Sequence, residues 1–152
     1  LCPAPAGPLR LTAPGLARAA AHIYNKADKA GLALPLRGDG MTRAYQIAME
    51  QAQVDLAHVE YRISDLIGEQ YFFKQATLAS LRLERGRTPF QDLWSPAESL
   101  GNIGAAVVPV MLAQLLTAEA RGYAPGSPAL MEGSGDDGAC GASVFHAVRR
   151  VA

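Results

Sequence analysis

The stretch GNIGAAVVPVMLAQLLTAEARG, residues 101–122, decides the fold of this 152-residue chain. Its first two-thirds are apolar on every side, and Gln114 stands alone among apolar neighbours. A helix that is apolar all round is buried all round, in a protein core or in a membrane. The uninterrupted apolar run, residues 105–113, is well short of the roughly 20 residues that span a bilayer. We therefore predict a central helix that is covered on both faces, and we expect this chain to cover only one of them.

Composition excludes several classes of partner. The 14 Lys and Arg residues balance the 14 Asp and Glu residues, so the charge favours neither nucleic acid nor a membrane surface as a partner. Cys2 and Cys140 lie far apart without metal-binding spacing, which predicts no metal site and a reducing, cytoplasmic location. Because phosphate-loop and dinucleotide motifs are also missing from the sequence, we expect no cofactor.

The rest of the chain alternates between strand and helix periodicity. In order, we predict a strand at 9–12, a short helix or a strand at 16–24, a helix starting at Asp39 as its N-cap, a strand at 58–66, a helix starting at Gly68, a strand at 90–94, the central helix, and two strands at 129–132 and 142–148. This alternation predicts an α/β fold whose sheet is mostly parallel and is closed by an antiparallel edge.

Three stretches resemble the C-terminal half of the thiolase and β-ketoacyl synthase superfamily. They are GDGMTRAYQIAMEQAQV followed by HVEYRI, LGNIGAAVVP at residues 100–109, and SGDDGACGASVF at residues 134–145. The second is similar to the helix start of the initiating ketoacyl synthases and includes the unusual proline, Pro109, inside an apolar helix. The resemblance covers residues 8–150.

The resemblance implies a protein built from two similar halves. Each half is a five-stranded mixed sheet with helices on both faces, and one helix from each half is sandwiched between the two sheets. Residues 1–152 would then form one half-domain. Its partner would be an N-terminal half, in the same or a separate chain, which carries the nucleophilic cysteine in active members. The complete protein is expected to be a homodimer.

The resemblance also points to four candidate site residues. Asn102 takes the position of an asparagine whose amide donates to a thioester oxygen, although the simpler role is N-cap of the central helix. Asp65, or Ser64, stands where the family has a histidine, and an aspartate there suits decarboxylative condensation only if its pKa is raised. Glu69 is either a general base in a dry pocket or, more simply, an acid at a helix N-terminus. Ser134 takes the position of the thiolase base cysteine and is a far weaker base.

Two functions follow from this comparison. The preferred one is a catalytically degenerate ketosynthase-like protein that acts as an accessory or adaptor, because Asp65 stands at the family's histidine position and Ser134 at the thiolase cysteine position. Members of this divergent kind resemble the proteins encoded beside bacterial type VI secretion effectors. The alternative is an active condensing enzyme of the 3-oxoacyl-ACP synthase type, with its cysteine on the other half. The expected partners are an acyl thioester of ACP or CoA, or a secretion effector. A third hypothesis is an interaction domain that binds no thioester, because its acyl pocket has closed.

Overall fold

The computed structural model describes residues 7–18, 36–84, 86 and 90–148. Within these residues it contains six strands and four helices. They are β1 (Leu9–Leu11), β2 (Gly15–Arg18), α1 (Asp39–Ala52), β3 (Tyr61–Ser64), α2 (Gln70–Leu83), β4 (Asp92–Trp94), the short α3 (Ala97–Leu100), α4 (Val107–Arg121), β5 (Ala129–Ser134) and β6 (Ala139–Ala147). The order matches the predicted alternation. The undecided stretch at 16–24 is a strand as far as Arg18, and its remainder lies outside the described residues.

The strands form one mixed sheet in the order β1-β6-β5-β3-β4, with β2 pairing to β6 beside β1. β3 is parallel to both β4 and β5, whereas β6 is antiparallel to β5 and to β1 and β2. Because β1 and β2 pair with successive parts of β6, the sheet is five positions wide. The α/β class is confirmed. The antiparallel pairing predicted at this edge is confirmed, and the one reversed strand, β6, lies inside the sheet, covered by β1 and β2.

Helices cover both faces of this sheet. On one face, α1 and α2 pack with Leu130 and Val144 in a core that includes Tyr45. On the other face, α4 packs with Ala129 and Phe145. Neighbouring strand residues enter opposite cores because side chains alternate across a strand.

The central helix differs in its bounds and its burial from the prediction. The α-helix begins at Val107, after a 3₁₀ turn at Gly104–Ala106, and ends at Arg121, so residues 101–106 and Gly122 lie outside it. Pro109 falls in the first turn, where backbone N–H groups have no intrahelical partner. Of α4, Met111, Leu115 and Ala118 are buried. The described residues therefore cover one face of the helix, as expected.

No helix among the described residues is long and apolar enough to cross a membrane.

Two local predictions also need correction. Asp39 is the first residue of α1, whereas the N-cap is Gly38 with φ 64°. The Asp39 carboxylate instead pairs with Arg37 and Arg82, at 2.8 Å each. The strand predicted at 58–66 is only Tyr61–Ser64, because His58 ends a 3₁₀ turn. Asp65 is thereby the first residue after the strand.

The contact between β2 and α1 requires glycine. A Cβ atom at Gly15 would lie 2.0 Å from the carbonyl oxygen of Ala44 and 2.7 Å from the amide nitrogen of Ala48. Both neighbours are backbone atoms, so a side chain at residue 15 could fit only if the helix and the strand moved apart.

We expect Gly15→Ala to lower the free energy of unfolding of the complete protein by about 3 kcal/mol or more. The added methyl group would clash with backbone atoms, and no change of side-chain rotamer can relieve that clash. Gly141→Ala is the matched control. Its added Cβ would meet only the Leu16 side chain, at 3.5 Å, an ordinary contact. Chemical unfolding measures both variants, and equal small losses would contradict the close packing of β2 on α1.

Candidate functional site

The four residues predicted from the sequence surround one cavity of about 250 Å³. β3 and β5 are parallel, so their carboxyl ends meet at one edge of the sheet. Asp65 follows β3 there and Ser134 ends β5. Glu69 lies at the start of α2, and Asn102 precedes α4. The structure thus brings these side chains together, while their chemical roles stay predictions.

Asp65 ties the ends of the two strands together. Its Oδ2 accepts a hydrogen bond from the Ser134 backbone N–H at 2.7 Å. Burial raises the pKa of Asp65, and the hydrogen bonds from the backbone N–H groups of Ser134 and of Asp65 itself partly oppose that rise. The carboxyl group sits so near β5 that a Cβ atom at Gly133 would be 3.3 Å from Oδ2. Asp65 is therefore a part-buried acceptor built into the strand junction.

Asn102 caps a turn rather than the central helix. Its Oδ1 accepts from the Gly104 N–H at 2.9 Å, at the start of the 3₁₀ turn Gly104–Ala106. The N-cap of α4 is Ala106, which has no side-chain capping bond. The predicted N-cap role at the central helix was wrong because a separate turn stands between Asn102 and that helix.

Glu69 occupies the N-cap position of α2, but its side chain makes no capping hydrogen bond. Its side chain is exposed, whereas a carboxylate that acts as a general base is ordinarily shielded from water. The described residues do not provide that shielding. An acid at the N-terminus of a helix is favoured by the helix dipole, which is the simpler of its two predicted roles.

The lining of this cavity is acidic. Asp65, Glu69 and Asp136 contribute carboxylates, and neither histidine nor cysteine is among the described residues that line it. The neighbouring Asp137 is engaged elsewhere, with the Ala139 N–H and Arg18. No group of three or more His, Cys, Asp or Glu side chains that could hold a metal occurs in the described ranges.

A larger apolar cavity of about 530 Å³ adjoins the acidic one and shares Asp65, Gly104, Val107 and Ser134 with it. Its apolar lining comes from four elements: Leu16 of β2, Val107, Val108 and Met111 of α4, Met131 of β5, and Ala139 and Ala142 of β6. This volume is within the usual range for small-molecule sites. Sequence reasoning missed the cavity because its walls are far apart along the chain and converge only through the sheet order.

No protein-family model matches this sequence, and no curated protein matches it. Solved structures do match. The ishigamide ketosynthase/chain length factor aligns with a TM-score of 0.72 at 15% identity, over 91% of this chain and 38% of that one. The fold is that of the ketosynthases.

Two further structures share this ketosynthase fold. One is AntDE:AntF, a type II PKS acyl-carrier protein in complex with its ketosynthase, with a TM-score of 0.68 and 19% identity over 91% of this chain and 38% of that one. The other is 3-oxoacyl-[acyl-carrier-protein] synthase III from Aquifex aeolicus VF5, with a TM-score of 0.57 and 18% identity over 91% of this chain and 45% of that one. The chain spans less than half the length of each. The resemblance seen in the sequence is confirmed at the level of the fold.

We expect Asp65→Ala to destabilise the complete protein by about 1–3 kcal/mol, because the part-buried Ser134 N–H loses its acceptor. Asp65→Asn retains a side-chain oxygen at that place and should recover most of the loss. Asp136→Ala removes an exposed carboxylate from the same cavity and should change stability by less than about 0.5 kcal/mol. Denaturant titration gives the free energy of unfolding of the three variants. Equal effects of Asp65→Ala and Asp136→Ala would contradict a stabilising role for the Asp65–Ser134 hydrogen bond.

Proposed function

We propose that this chain is the C-terminal half of a ketosynthase-like protein that serves as an accessory subunit and does not itself condense acyl thioesters. The acidic site that lacks an imidazole carries this proposal. The N-terminal half, in the same or a separate chain, packs on the outer side of α4, which is the side turned away from the sheet and from Met111, Leu115 and Ala118.

Exposed apolar side chains on the α4 side of the sheet support the pairing of two halves. Within α4, Val108 is 42% and Leu116 is 44% exposed. Leu16 of β2, at the mouth of the apolar cavity, is 69% exposed. Other exposed large apolar residues on this side are Leu11, opposite the core residue Phe145, Leu100, and Tyr123, next to Trp94. Large apolar side chains exposed together on one side of a domain are typical of an interaction site.

The electrostatics of the site argue against condensation. A ketosynthase-type reaction passes through a thiolate and an enolate, which are both anions. Donors such as imidazole stabilise them, whereas carboxylates raise their energy. Glu69 and Asp136 place exposed carboxylates at this cavity, and no described lining residue offsets them with a cationic side chain. Burial raises the pKa of Asp65, which lessens the charge of that residue but leaves the other two acids in place.

The proposed partners follow from the same reading. The complete protein is a homodimer in the cytoplasm. It uses its fold to bind an acyl thioester of ACP or CoA, or a secretion effector, without turning it over. The type VI secretion context rests on the sequence resemblance alone, and the apolar cavity is the space in which we propose that an acyl group lies.

Substitution on the outer side of α4 tests the pairing. Leu116→Glu should weaken the contact between the halves and lower the unfolding free energy of the complete protein by about 2 kcal/mol or more, since it buries a charge in an apolar interface. Leu81→Glu is the matched control, because Leu81 is 60% exposed on α2, which packs on the opposite face of the sheet. If both substitutions are equally harmless, the outer side of α4 is not covered.

An assay of the complete protein tests the absence of condensation. Purified protein is incubated with acyl and malonyl thioesters of ACP and of CoA, beside an active ketosynthase as positive control. We expect no 3-oxoacyl product and no release of CO₂ above the rate without protein. Product formation, together with acyl labelling of a cysteine on the N-terminal half, would overturn the proposal in favour of an active condensing enzyme.

A further inference from the structure

A buried hydroxyl group lies at the inner end of the apolar cavity. Ser143 of β6 lines this cavity and is 7% exposed. The next residue, Val144, belongs to the core around α1, whereas Phe145 belongs to the core around α4. Because side chains alternate across a strand, Ser143 points to the α4 side, where the cavity lies.

The Ser143 hydroxyl makes no hydrogen bond with any other residue in the described part of the chain. A buried hydroxyl without a partner is costly, so such a group ordinarily binds water or a ligand atom. The walls around it are apolar. They include its register partner Met131 on β5, and Val107 and Met111 of α4. A ligand in the cavity can supply the missing partner.

The other polar residues that line this cavity lie elsewhere. Asp65 and Ser134 belong to the edge that it shares with the acidic cavity. Glu132 and Cys140 occupy the alternate strand positions, which face α1 and α2. Among the described residues, Ser143 is therefore the one polar side chain at the inner end of the cavity.

Two glycines leave the sheet surface open between the site edge and Ser143. Gly133 of β5 and Gly141 of β6 are register partners on the α4 side. A Cβ atom at Gly133 would meet only Asp65, at 3.3 Å, and one at Gly141 would meet only Leu16, at 3.5 Å. A chain that enters beside Asp65 can therefore lie along this bare part of the sheet.

Strand geometry sets the depth of Ser143. It is level with Met131, which precedes the last residue of β5, Ser134, by three positions. The distance along the strand is thus about 10 Å. We propose that Ser143 is a specificity-determining residue, which forms a hydrogen bond with a hydroxyl or keto oxygen carried partway along an acyl chain.

This inference rests on the proposed binding of an acyl group in the cavity and adds the class of acyl group, an oxygenated chain. The serine hydroxyl can donate to a keto oxygen, and it can donate to or accept from a hydroxyl. A saturated chain would exclude water from Ser143 and leave its hydroxyl unpaired. We therefore expect the oxygenated chain to bind about tenfold more tightly than the saturated one.

Calorimetric binding of acyl-CoA ligands to the complete protein tests this preference. The ligands share one chain length. One is saturated, one set carries a single hydroxyl at successive carbons, and a second set carries a keto group at the same carbons. In the wild-type protein, an oxygen in one region of the chain should raise the affinity about tenfold over that of the saturated ligand. The two sets show which kind of oxygen is preferred.

Ser143→Ala should abolish this preference. The oxygenated ligand should bind about tenfold more weakly than to the wild type, whereas the saturated ligand should bind at least as tightly as before. A purely structural effect would weaken both ligands alike. Ser143→Cys retains the size of the side chain with a weaker donor and should lie between wild type and Ser143→Ala. Ser99→Ala, on the exposed α3, is the matched control and should retain the wild-type preference.

Equal affinities for the saturated and oxygenated ligands in the wild type, or a preference that Ser143→Ala leaves unchanged, would overturn the inference while acyl binding itself stands. If no acyl-CoA ligand binds, the proposed acyl binding fails and the inference fails with it. If Ser143→Ala does not fold, Ser143→Cys serves for the comparison, and an unchanged preference in that variant would also overturn the inference.

Discussion

The rest of this structure depends on the need to bury both apolar sides of helix α4. Its inner side, Met111, Leu115 and Ala118, is buried against the sheet. Its outer side is also apolar, yet Val108 and Leu116 remain largely exposed. Burial of apolar area is the main favourable term in folding, so a helix that is apolar on two sides belongs in the middle of a layered protein. The described residues build one set of those layers, and the proposed second half completes the sandwich.

The same arrangement places the candidate site. Parallel β3 and β5 end at one edge of the sheet, and the turn before α4 reaches that edge. Asp65, Ser134 and Asn102 come together there for this reason. Asp65 is held by the backbone of Ser134, so its first role in this geometry is to join two strand ends. Three acids line the cavity, and in the proposed accessory role the fold of a condensing enzyme is separated from its chemistry.

Much of this fold could be predicted from the sequence because the relevant signals are local. The stripe from Met41 to Ala52 and the apolar run around Met111 gave helices close to their observed positions. Sheet order, by contrast, depends on which distant strands pair. Nothing local to β6 shows that β1 and β2 cover it and make it an internal strand.

The candidate site shows the same division. Family-like motifs grouped Asp65, Glu69, Asn102 and Ser134, but the bonds that position Asp65 and Asn102 involve backbone N–H groups and leave no trace in side-chain patterns. The burial of Glu132 in β5, which is 1% exposed, was missed for a different reason. A glutamate in a strand is ordinarily taken to face solvent, and only the tertiary structure shows that helices cover both faces at that point.

The central claim is that a second half covers the outer side of α4. A cysteine introduced at Ala113, an exposed small residue in the middle of that side, reports on it directly in the complete protein. A cysteine at Thr77, exposed on α2, gives the reference for a solvent-facing helix position. Thiol labelling of the native protein, read by peptide mass spectrometry, should leave residue 113 unmodified while residue 77 reacts rapidly. Equal rates at the two positions would show that α4 faces solvent and would contradict the account.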